Sequence, residues 1–479
     1  MQTGTAGKTS PLSTVESFLL VLIFILLSTH PSHAKKPNVL FIPVDDLNDW
    51  VSHLGGHSQA VTPHLDRLAA LGLTFTNAHC AVPSCNPSRT ALLTGLRPSS
   101  TGVYGNSHPW RPVLPEVITL PKHFKNNGYY CAGFGKVYHG RYPDPRDWHV
   151  WEKAPDDSRS VPDEKYLTDR GVGGIRFGQL SNTDDEMIDH LNVTRAIEQI
   201  NSQEDNSWFI ACGLIKPHMA FSVPQKYFDR FPLKSIQLPD VPADDLDDIP
   251  AAGIRIAKPE GDHANILKSG RWKEAVQAYL ATVYFADTQI GRLLDALEAS
   301  PHKDNTIICL WSDHGWHLGE KQHWRKFALW EEATRAPMIW VVPGVTTPGT
   351  SCDRPVDYMN IYPTLIDLCN LPQPKNPNGQ KHAGVTIRCL LENPDAKWDR
   401  PALTTFGRNN HALRSQYYRY IRYADGSEEL YDHRSDPKEF TNLSDSIELT
   451  QVKQHLAPWF PKQNVPEAPL DPNRKKPKK

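Results

Sequence analysis

Short runs of consecutive apolar residues recur along the chain, and four of the five end in charged or hydroxyl residues. An apolar run without alternating polar positions is typical of a strand that is covered on both faces of a sheet. The pattern therefore predicts five buried strands of one sheet. These strands cover the runs Asn38–Val44, Tyr129–Phe134, Trp208–Leu214, Thr306–Trp311 and Pro337–Val342.

Amphipathic segments with helical spacing lie between the predicted strands. Glycines follow two of these segments directly, and a glycine after helical periodicity is a common helix end. Strands that alternate with helices predict an α/β fold, with one large, mainly parallel sheet flanked by helices on both faces. The predicted helices are Pro63–Leu71, Leu120–Asn127, Asp184–Ile200 and Trp272–Ala299.

The pattern changes after Asn393. Tyr417–Tyr423 alternates aromatic residues with arginines, a turn at Asp425-Gly426 follows, and Glu448–Phe460 has helical spacing. Hairpin strands with one helix predict a small α+β subdomain with an antiparallel sheet. We therefore assign residues 36–393 to the catalytic domain, residues 394–465 to the C-terminal subdomain and residues 466–479 to a basic, disordered tail.

The N-terminus has the features of an export signal. The apolar run Phe18–Leu27 is short for a membrane span, and small residues at Ser32 and Ala34 suit signal-peptide cleavage. We predict a signal peptide over residues 1–34, with an uncleaved signal anchor as the alternative. The mature protein is expected to be exported, to a periplasm, the medium or a lysosome-like compartment, without a stable membrane anchor.

Composition and charge narrow the function classes. The chain has 479 residues, and 52 basic residues against 54 acidic ones give a net charge of −2. Without an excess of basic residues we expect no nucleic-acid partner. The eight cysteines are scattered, which argues against a disulfide scaffold, although Cys352, Cys369 and Cys389 could supply one bridge.

Chemically useful residues follow four of the predicted strands. Asp45-Asp46 follows the first, Gly135–His139 the second, Lys216–His218 the third and Ser312–Gly315 the fourth. The carboxyl ends of parallel strands meet at one edge of a sheet, where ligands bind in such folds. The spacing therefore predicts a single site. Taken alone, Asp45-Asp46 is better explained as a turn after a strand.

The segment Cys85–Arg89 carries the sharpest motif. Pro87 suits the first turn of a helix, which places Cys85 at a helix N-terminus, where free N–H groups favour an anion. Arg89 adds a guanidinium that is always charged. Taken alone, this motif also fits an inert cysteine before a helix. A separate cluster of histidines lies near Ser312–Gly315. Taken alone, His314, His317 and His323 could also form a zinc site.

The set of motifs resembles the formylglycine-dependent sulfatases of the alkaline phosphatase superfamily. Cys85–Gly95 is similar to the signature of that family, with its first metal motif near Val44–Leu47 and its second at Ser312–Gly315. Within the family, the chain is most similar to the iduronate-2-sulfatase branch. That likeness rests on Asp313-His314, Leu214–His218, and Gly319-Glu320 followed by Trp324–Lys326.

The resemblance implies a modified nucleophile and a metal ion. A formylglycine-generating enzyme would oxidise Cys85 to formylglycine, whose hydrated form attacks sulfur and passes through a sulfo-enzyme intermediate. A hard divalent cation, with Ca²⁺ first and others left open, would neutralise charge at the site. The implied metal ligands are Asp45, Asp46, Cys85, Asp313 and His314.

The resemblance also implies roles for basic residues. Arg89 and Lys136 would orient the formylglycine, and His139 would assist removal of its hydroxyl proton. His218 and Lys326 would bind the sulfuryl group, and one of them would protonate the departing sugar oxygen. The implied substrate-binding residues are Lys136, Lys216, His218 and Lys326.

We therefore predict a sulfatase that acts on a sulfated oligosaccharide or polysaccharide, with the 2-O-sulfate of iduronate as the first candidate. One alternative is a sulfatase for another sulfated polysaccharide, and a second is a phosphonate monoester or phosphodiester hydrolase on the same scaffold. A third is a non-catalytic glycan-binding relative. Selection of the sugar is expected to lie in the loops Asp144–Arg176 and Pro239–His263.

Overall fold

The computed structural model describes residues 1–7, 36–153, 171–204 and 206–473. Residues 8–34 of the predicted signal peptide and the basic residues 474–479 lie outside these ranges. The fold described below is that of the unit that begins at Pro37. None of the helices described is long and apolar enough to cross a membrane.

Sixteen strands occur in the described ranges. In chain order they are β1 (Asn38–Val44), β2 (Leu73–Phe75), β3 (Ala78–His79), β4 (Tyr130–Gly135), β5 (Val150–Lys153), β6 (Trp208–Gly213), β7 (Thr306–Ser312), β8 (His317–Leu318), β9 (Trp324–Arg325), β10 (Met338–Val341), β11 (Thr350–Cys352), β12 (Val356–Asp357), β13 (Ala402–Thr405), β14 (His411–Arg414), β15 (Tyr418–Arg422) and β16 (Glu428–Asp432).

Eight of these strands form the central sheet, in the order β11-β2-β10-β7-β1-β6-β4-β5. The five neighbouring strands β7, β1, β6, β4 and β5 are parallel. Strand β1 lies between β6 and β7, with Val39 opposite Phe209 of β6 on one side and Ile307 of β7 on the other. Strand β10 runs antiparallel to β7 and β2. The predicted mainly parallel sheet is confirmed.

Thirteen α-helices accompany the strands in the same ranges. They are α1 (Pro63–Leu71), α2 (Cys85–Thr94), α3 (Pro98–Thr101), α4 (Leu120–Asn126), α5 (Ile188–Ser202), α6 (Gln225–Asp229), α7 (Ala251–Ala257), α8 (Asp262–Ser269), α9 (Trp272–Ala299), α10 (Glu331–Thr334), α11 (Ile361–Leu368), α12 (Arg388–Glu392) and α13 (Thr450–Leu456). The helix predicted from Asp184 begins at Ile188, after one 3₁₀ turn.

The central sheet is covered on both faces. Leu40 and Ile42 of β1 join a core with α1, α5 and α9, whereas Val39 and Phe41 join a second core with α2, α4 and α11. Successive side chains of a strand point to opposite faces, so each residue of β1 meets apolar neighbours. This double cover explains why the strand reads as an uninterrupted apolar run.

The C-terminal part forms a four-stranded antiparallel sheet, β13-β14-β15-β16, as predicted. Gly426 has φ of 87° in the tight turn between β15 and β16, a conformation that glycine adopts without strain. One face of this sheet packs on Leu329 and Trp330, and the other on Leu456 of α13. The domain boundary at residue 393 stays a prediction.

Two expectations from the sequence are corrected. The tail does not begin at residue 466, because the backbone N–H groups of Ala468 and Asp471 donate to the carbonyls of Gly102 and Ser107, and Ala468 is buried. The eight cysteines all lie among the described residues and are all free thiols. The Cys352 thiol donates to the carbonyl of Pro394 instead of forming a bridge.

Candidate active site

The ends of the central parallel strands bring the predicted residues together. Asp45 and Asp46 follow β1, Asp313 and His314 follow β7, and Lys136 follows β4. Backbone hydrogen bonds extend the ladder past the strand ends, from Asp45 to Leu214 at 3.2 Å and from Asp313 to Val44 at 3.1 Å. Adjacent parallel strands thus place residues that are distant in sequence at one edge of the sheet.

Three buried carboxylates form the floor of the site. Asp45, Asp46 and Asp313 are all fully inaccessible to solvent. Asp46 has φ of 61°, and this left-handed turn allows its N–H to donate to Asp313 Oδ1 at 3.1 Å. The Tyr279 hydroxyl donates to the carbonyl of Asp46 at 2.8 Å. Both bonds hold the backbone of Asp46 in this turn.

Cys85 is the first residue of α2 and faces these carboxylates. The helix start is fixed by Asn106, whose Oδ1 accepts from the Ser84 hydroxyl at 2.8 Å and the Asn86 N–H at 2.9 Å. The Cys85 sulfur lies 3.0 Å from Lys326 Nζ and 3.4 Å from His314 Nε2. The predicted nucleophile position therefore lies between a cation and a predicted metal ligand.

Two further cations bind the carboxylates. Arg89 Nε donates to Asp313 Oδ2 at 2.9 Å, its Nη2 lies 3.4 Å from Asp45 Oδ1, and its Nη1 donates to the carbonyl of Lys136. The Lys136 ammonium donates to Asp45 Oδ2. Arg89 therefore joins four of the predicted motifs, since it lies in the Cys85 motif and contacts residues of the three others.

The carboxylates differ in their pKa values. Burial raises the pKa of Asp45, but the charges of Lys136, His218 and Arg89 outweigh it and hold that pKa well below its usual range. Burial raises the pKa of Asp46 to about 6, against the opposing charge of Lys326. Burial also raises the pKa of Asp313 to about 8, although Arg89 opposes it. At Asp46 and Asp313, burial therefore outweighs the neighbouring cations.

The donor atoms fit a divalent cation. Those of Asp45, Cys85, Asp313 and His314 lie within 4.8 Å of one another, and Asp46 belongs to a second such group. Asp46 Oδ2 is buried and has no hydrogen-bond partner among the described residues. His314 Nδ1 lies 3.1 Å from the carbonyl of Gly315, so Nδ1 carries the proton and Nε2 offers its lone pair.

The loop after β6 contributes from the other side. Asp189 accepts from the backbone N–H groups of Ile215 and Lys216, both at 2.8 Å. His218, with 19% of its side chain exposed, has Nε2 3.8 Å from Asp46 Oδ2. The Lys216 ammonium instead donates to the carbonyl of Ala220 in its own loop, at 2.9 Å. A role of Lys216 toward a substrate stays a prediction.

His139 lies on the loop after β4. It is half-buried, and its ring centre is 6.0 Å from that of Tyr142. Its predicted part in proton removal stays a prediction.

The structure joins nine of the eleven predicted residues by direct contacts: Asp45, Asp46, Cys85, Arg89, Lys136, His218, Asp313, His314 and Lys326.

Lys326 is presented by a segment with unusual backbone conformations. Its ammonium lies 2.7 Å from Asp46 Oδ1. Four residues around it have positive φ: Lys321 at 55°, Gln322 at 47°, Arg325 at 86° and Phe327 at 70°. Such conformations cost about 1 kcal/mol or more each and persist only where tertiary contacts impose them.

Sequence reasoning missed several residues that position the site. Tyr279 donates to the carbonyl of Asp46, Asp189 accepts from the Lys216 N–H, and Asn106 accepts from Ser84 and Asn86, on either side of Cys85. No local motif marks them, since each is a common residue type far along the chain from its partner.

The arrangement suits a tetrahedral oxyanion. The predicted nucleophile position is buried among the cations Arg89, Lys136 and Lys326, and the partly exposed His218 lies at the rim. Preorganised cations of this kind stabilise negative charge that develops on the oxygens of a transferred group.

Comparisons with known proteins match this chain to sulfatases. The family profile described as Sulfatase matches residues 37–371, and the profile described as N-sulphoglucosamine sulphohydrolase, C-terminal, matches residues 319–464. The chain is 40% identical over 479 residues to a protein named sulfatase from Formosa agariphila, with 94% of this chain and 92% of that one covered.

A second relative is iduronate 2-sulfatase of Mus musculus, which is 28% identical over 527 residues, with 88% of this chain and 93% of that one covered. Among solved structures, the phosphonate monoester hydrolase of Agrobacterium radiobacter is similar, with a TM-score of 0.73 and 23% identity. That alignment covers 88% of this chain and 94% of the other, and it shows a shared fold.

Proposed function

The chain belongs to the sulfatase family, and from that premise we propose that it hydrolyses the 2-O-sulfate of a uronic acid, iduronate or a similar sugar, in a sulfated oligosaccharide or polysaccharide. The observation that carries the proposal is the position of Cys85, with its sulfur 3.0 Å from Lys326 Nζ and beside the three carboxylates. The likeness to mouse iduronate 2-sulfatase over most of both chains supports the uronate.

Two groups would complete the site. Formylglycine at residue 85, installed by a formylglycine-generating enzyme, would supply a hydrated aldehyde as the nucleophile. A divalent ion, which we propose to be Ca²⁺ because three carboxylates favour a hard cation, would neutralise negative charge next to it. Asp45, Asp46, Asp313 and His314 would hold that ion.

Lys326 and His218 have different environments and therefore different proposed roles. Burial lowers the pKa of Lys326, but Asp46 and Cys85 outweigh it and raise that pKa above its usual range. Lys326 therefore stays charged and binds sulfuryl oxygens instead of giving up a proton. His218, partly exposed at the rim, is left as the group that protonates the departing sugar oxygen.

Arg89 and Lys136 act on the carboxylates. Their charges keep Asp45 ionised, and the Arg89 guanidinium fixes Asp313 against the end of β7. An ionised, fixed Asp45 is available both to a cation and to the orientation of residue 85. Both residues thus prepare the site before substrate arrives.

The test is sulfate release by protein with confirmed formylglycine at residue 85, with Cys85→Ala as control. The substrates are 2-sulfated uronate disaccharides from heparin and dermatan, other sulfated glycans including algal oligosaccharides, and a phosphonate monoester. Release from the uronate 2-sulfates alone supports the proposal. Release only from another glycan contradicts the uronate, and turnover of the phosphonate alone contradicts sulfate hydrolysis.

A further inference from the structure

Two buried histidines next to the Lys326 segment have different hydrogen-bond partners. His323 has Nδ1 2.8 Å from the carbonyl oxygen of Ala257 and Nε2 2.6 Å from the carbonyl oxygen of Lys326. His317, with its ring centre 5.0 Å away, has Nδ1 3.0 Å from the carbonyl oxygen of Glu320. Its Nε2 has no hydrogen-bond partner among the described residues.

This difference sets the protonation that each ring needs. A carbonyl oxygen only accepts hydrogen bonds, and a neutral imidazole has a single N–H group. The neutral form of His317 satisfies its one carbonyl. His323 faces two carbonyls, so it forms both bonds only as the doubly protonated imidazolium.

The His323 ring connects two functional regions. Ala257 ends α7 within residues 239–263, the segment expected to select the sugar. Lys326 carries the ammonium that contacts Asp46 and Cys85. A proton on His323 therefore joins the backbone of the proposed sulfuryl-binding lysine to the neighbouring surface segment.

Because the backbone around Lys326 is strained, its conformation depends on hydrogen bonds from the surrounding structure. Arg325 Nε donates to Asp262 at 2.6 Å, Lys321 Nζ donates to Asp245 at 2.7 Å, and the Phe327 N–H donates to the carbonyl of Pro83 at 3.1 Å. These bonds hold residues on either side of Lys326. Only the His323 ring, among the described side chains, bonds to the Lys326 carbonyl itself.

Burial and the groups around His323 together set the pKa of its ring. The groups that face it are His317 of β8, Asp262 and His263 of α8, and Arg325 of β9. Burial lowers the pKa of His323 below the usual 6.5, while the carbonyl bonds and Asp262 partly oppose this. The ring therefore loses its proton as the pH rises through a value below 6.5.

We propose that His323 is a positioning residue that holds Lys326 in place as an imidazolium, so that turnover falls when the ring loses its proton. The proposal rests on the proposed function, because it assumes that Lys326 binds the sulfuryl group. Below its pKa the ring makes both bonds. Above it, one carbonyl faces a lone pair and the Lys326 segment loses a tether.

The first test compares kcat and KM against pH for the wild type, His323→Gln and the matched variant His317→Gln. We expect His323→Gln to lower kcat by up to about 100-fold, as a small misplacement of a binding group does. We also expect it to remove the alkaline decline that the wild type and His317→Gln share. A folded His323→Gln protein whose kcat profile keeps the wild-type shape would overturn the proposal.

The second test needs no turnover. Histidine-labelled Cys85→Ala protein is titrated by nitrogen NMR, and the spectrum of the same protein with His323→Gln identifies the signal. We expect two protonated ring nitrogens at low pH and one at high pH. A ring that stays neutral throughout overturns the proposal. If no sulfate ester is hydrolysed, the proposed function fails, while this titration still decides the protonation of His323.

Discussion

Two buried clusters of acidic and basic side chains lie on opposite sides of the Lys326 segment in the sequence, and they differ in the pKa values of their carboxyl groups. In the active-site cluster, two of the three carboxyl groups have raised pKa values, and Asp46 Oδ2 has no hydrogen-bond partner among the described residues. In the second, which we term the joining cluster, every acid is matched by a base. Its members are Glu331, Arg414, Arg419, His433 and Glu439.

The joining cluster binds the C-terminal sheet to α10. Arg419 of β15 donates to both Glu331 and Glu439, Arg414 lies 3.3 Å from Glu331, and His433 lies 2.9 Å from Glu439. Burial raises the pKa of both glutamates, but the neighbouring bases outweigh it and keep these values below their usual range. Both glutamates therefore stay ionised without any added ion.

The comparison shows which observation favours a metal ion in one cluster over the other. Glu331, His433 and Glu439 also bring donor atoms within 4.8 Å of one another, as the active-site residues do. Proximity of donors therefore does not separate the two clusters. The two clusters are separated instead by Asp46 Oδ2, which has no hydrogen-bond partner among the described residues, and by the raised pKa values of Asp46 and Asp313. A divalent ion would stabilise the ionised forms of these two carboxyl groups.

The largest effect is expected from Cys85→Ala, which removes the nucleophile while leaving both clusters in place. Turnover should fall by about a million-fold, as loss of a nucleophile does elsewhere. Sulfate release measures this, and the free energy of unfolding should change by only about 1 kcal/mol. Sulfate release by the purified variant at a rate near that of the wild type would contradict the role of residue 85.

Glu331→Gln should break the joining cluster alone. It leaves Arg414 and Arg419 buried with one acid fewer, so the free energy of unfolding should fall by about 3–5 kcal/mol. Denaturant unfolding measures the loss. Metal affinity, determined by calorimetry on the folded variant, should match that of the wild type, and a parallel loss of metal would mean that the clusters are not independent.

Asp313→Asn should lower metal affinity strongly and the free energy of unfolding only slightly, which is the reverse of the result expected for Glu331→Gln. It removes a ligand charge from the active-site cluster, so Ca²⁺ affinity should fall by at least about 100-fold, since even indirect partners of a ligand are worth that much. The free energy of unfolding of the metal-free protein should change less than in Glu331→Gln. Unchanged Ca²⁺ binding would exclude Asp313 as a ligand.

The smallest effect concerns pH. Asp46 and Asp313, with pKa values of about 6 and about 8, must lose their protons to bind a cation. Ca²⁺ affinity should therefore rise with pH over that window, by up to about tenfold per pH unit for each proton released, and level off above it. Calorimetry across the window measures the slope, and affinity that falls with rising pH would reverse the assignment.

The elements that local patterns define could be predicted closely. The bounds of β1, α1 and α9 agree with the sequence because their apolar positions and helix ends lie within the segments themselves. The direction of β10 could not be predicted, since an apolar run reads the same in either orientation. The cluster that the structure brings together could be predicted because several of its members follow ends of the central strands and the order of the motifs resembles one family.

The residues that hold the site together could not be predicted in the same way. Arg419 lies far along the chain from Glu331, and the partners of His323 are carbonyl groups, which no sequence pattern marks. The residues after Val465 have no helical or strand periodicity. Their position depends on backbone hydrogen bonds to Gly102 and Ser107, which are distant in the sequence.

The burial of Cys85 has a consequence for the order of events during synthesis. The thiol is 1% exposed, and the residues that enclose it include Lys326 and His314, which a ribosome adds long after residue 85. The central strand β1 likewise waits for β7 before its second edge is paired. An enzyme that oxidises Cys85 must therefore reach it before the chain folds around it, and the rate of folding limits the time available.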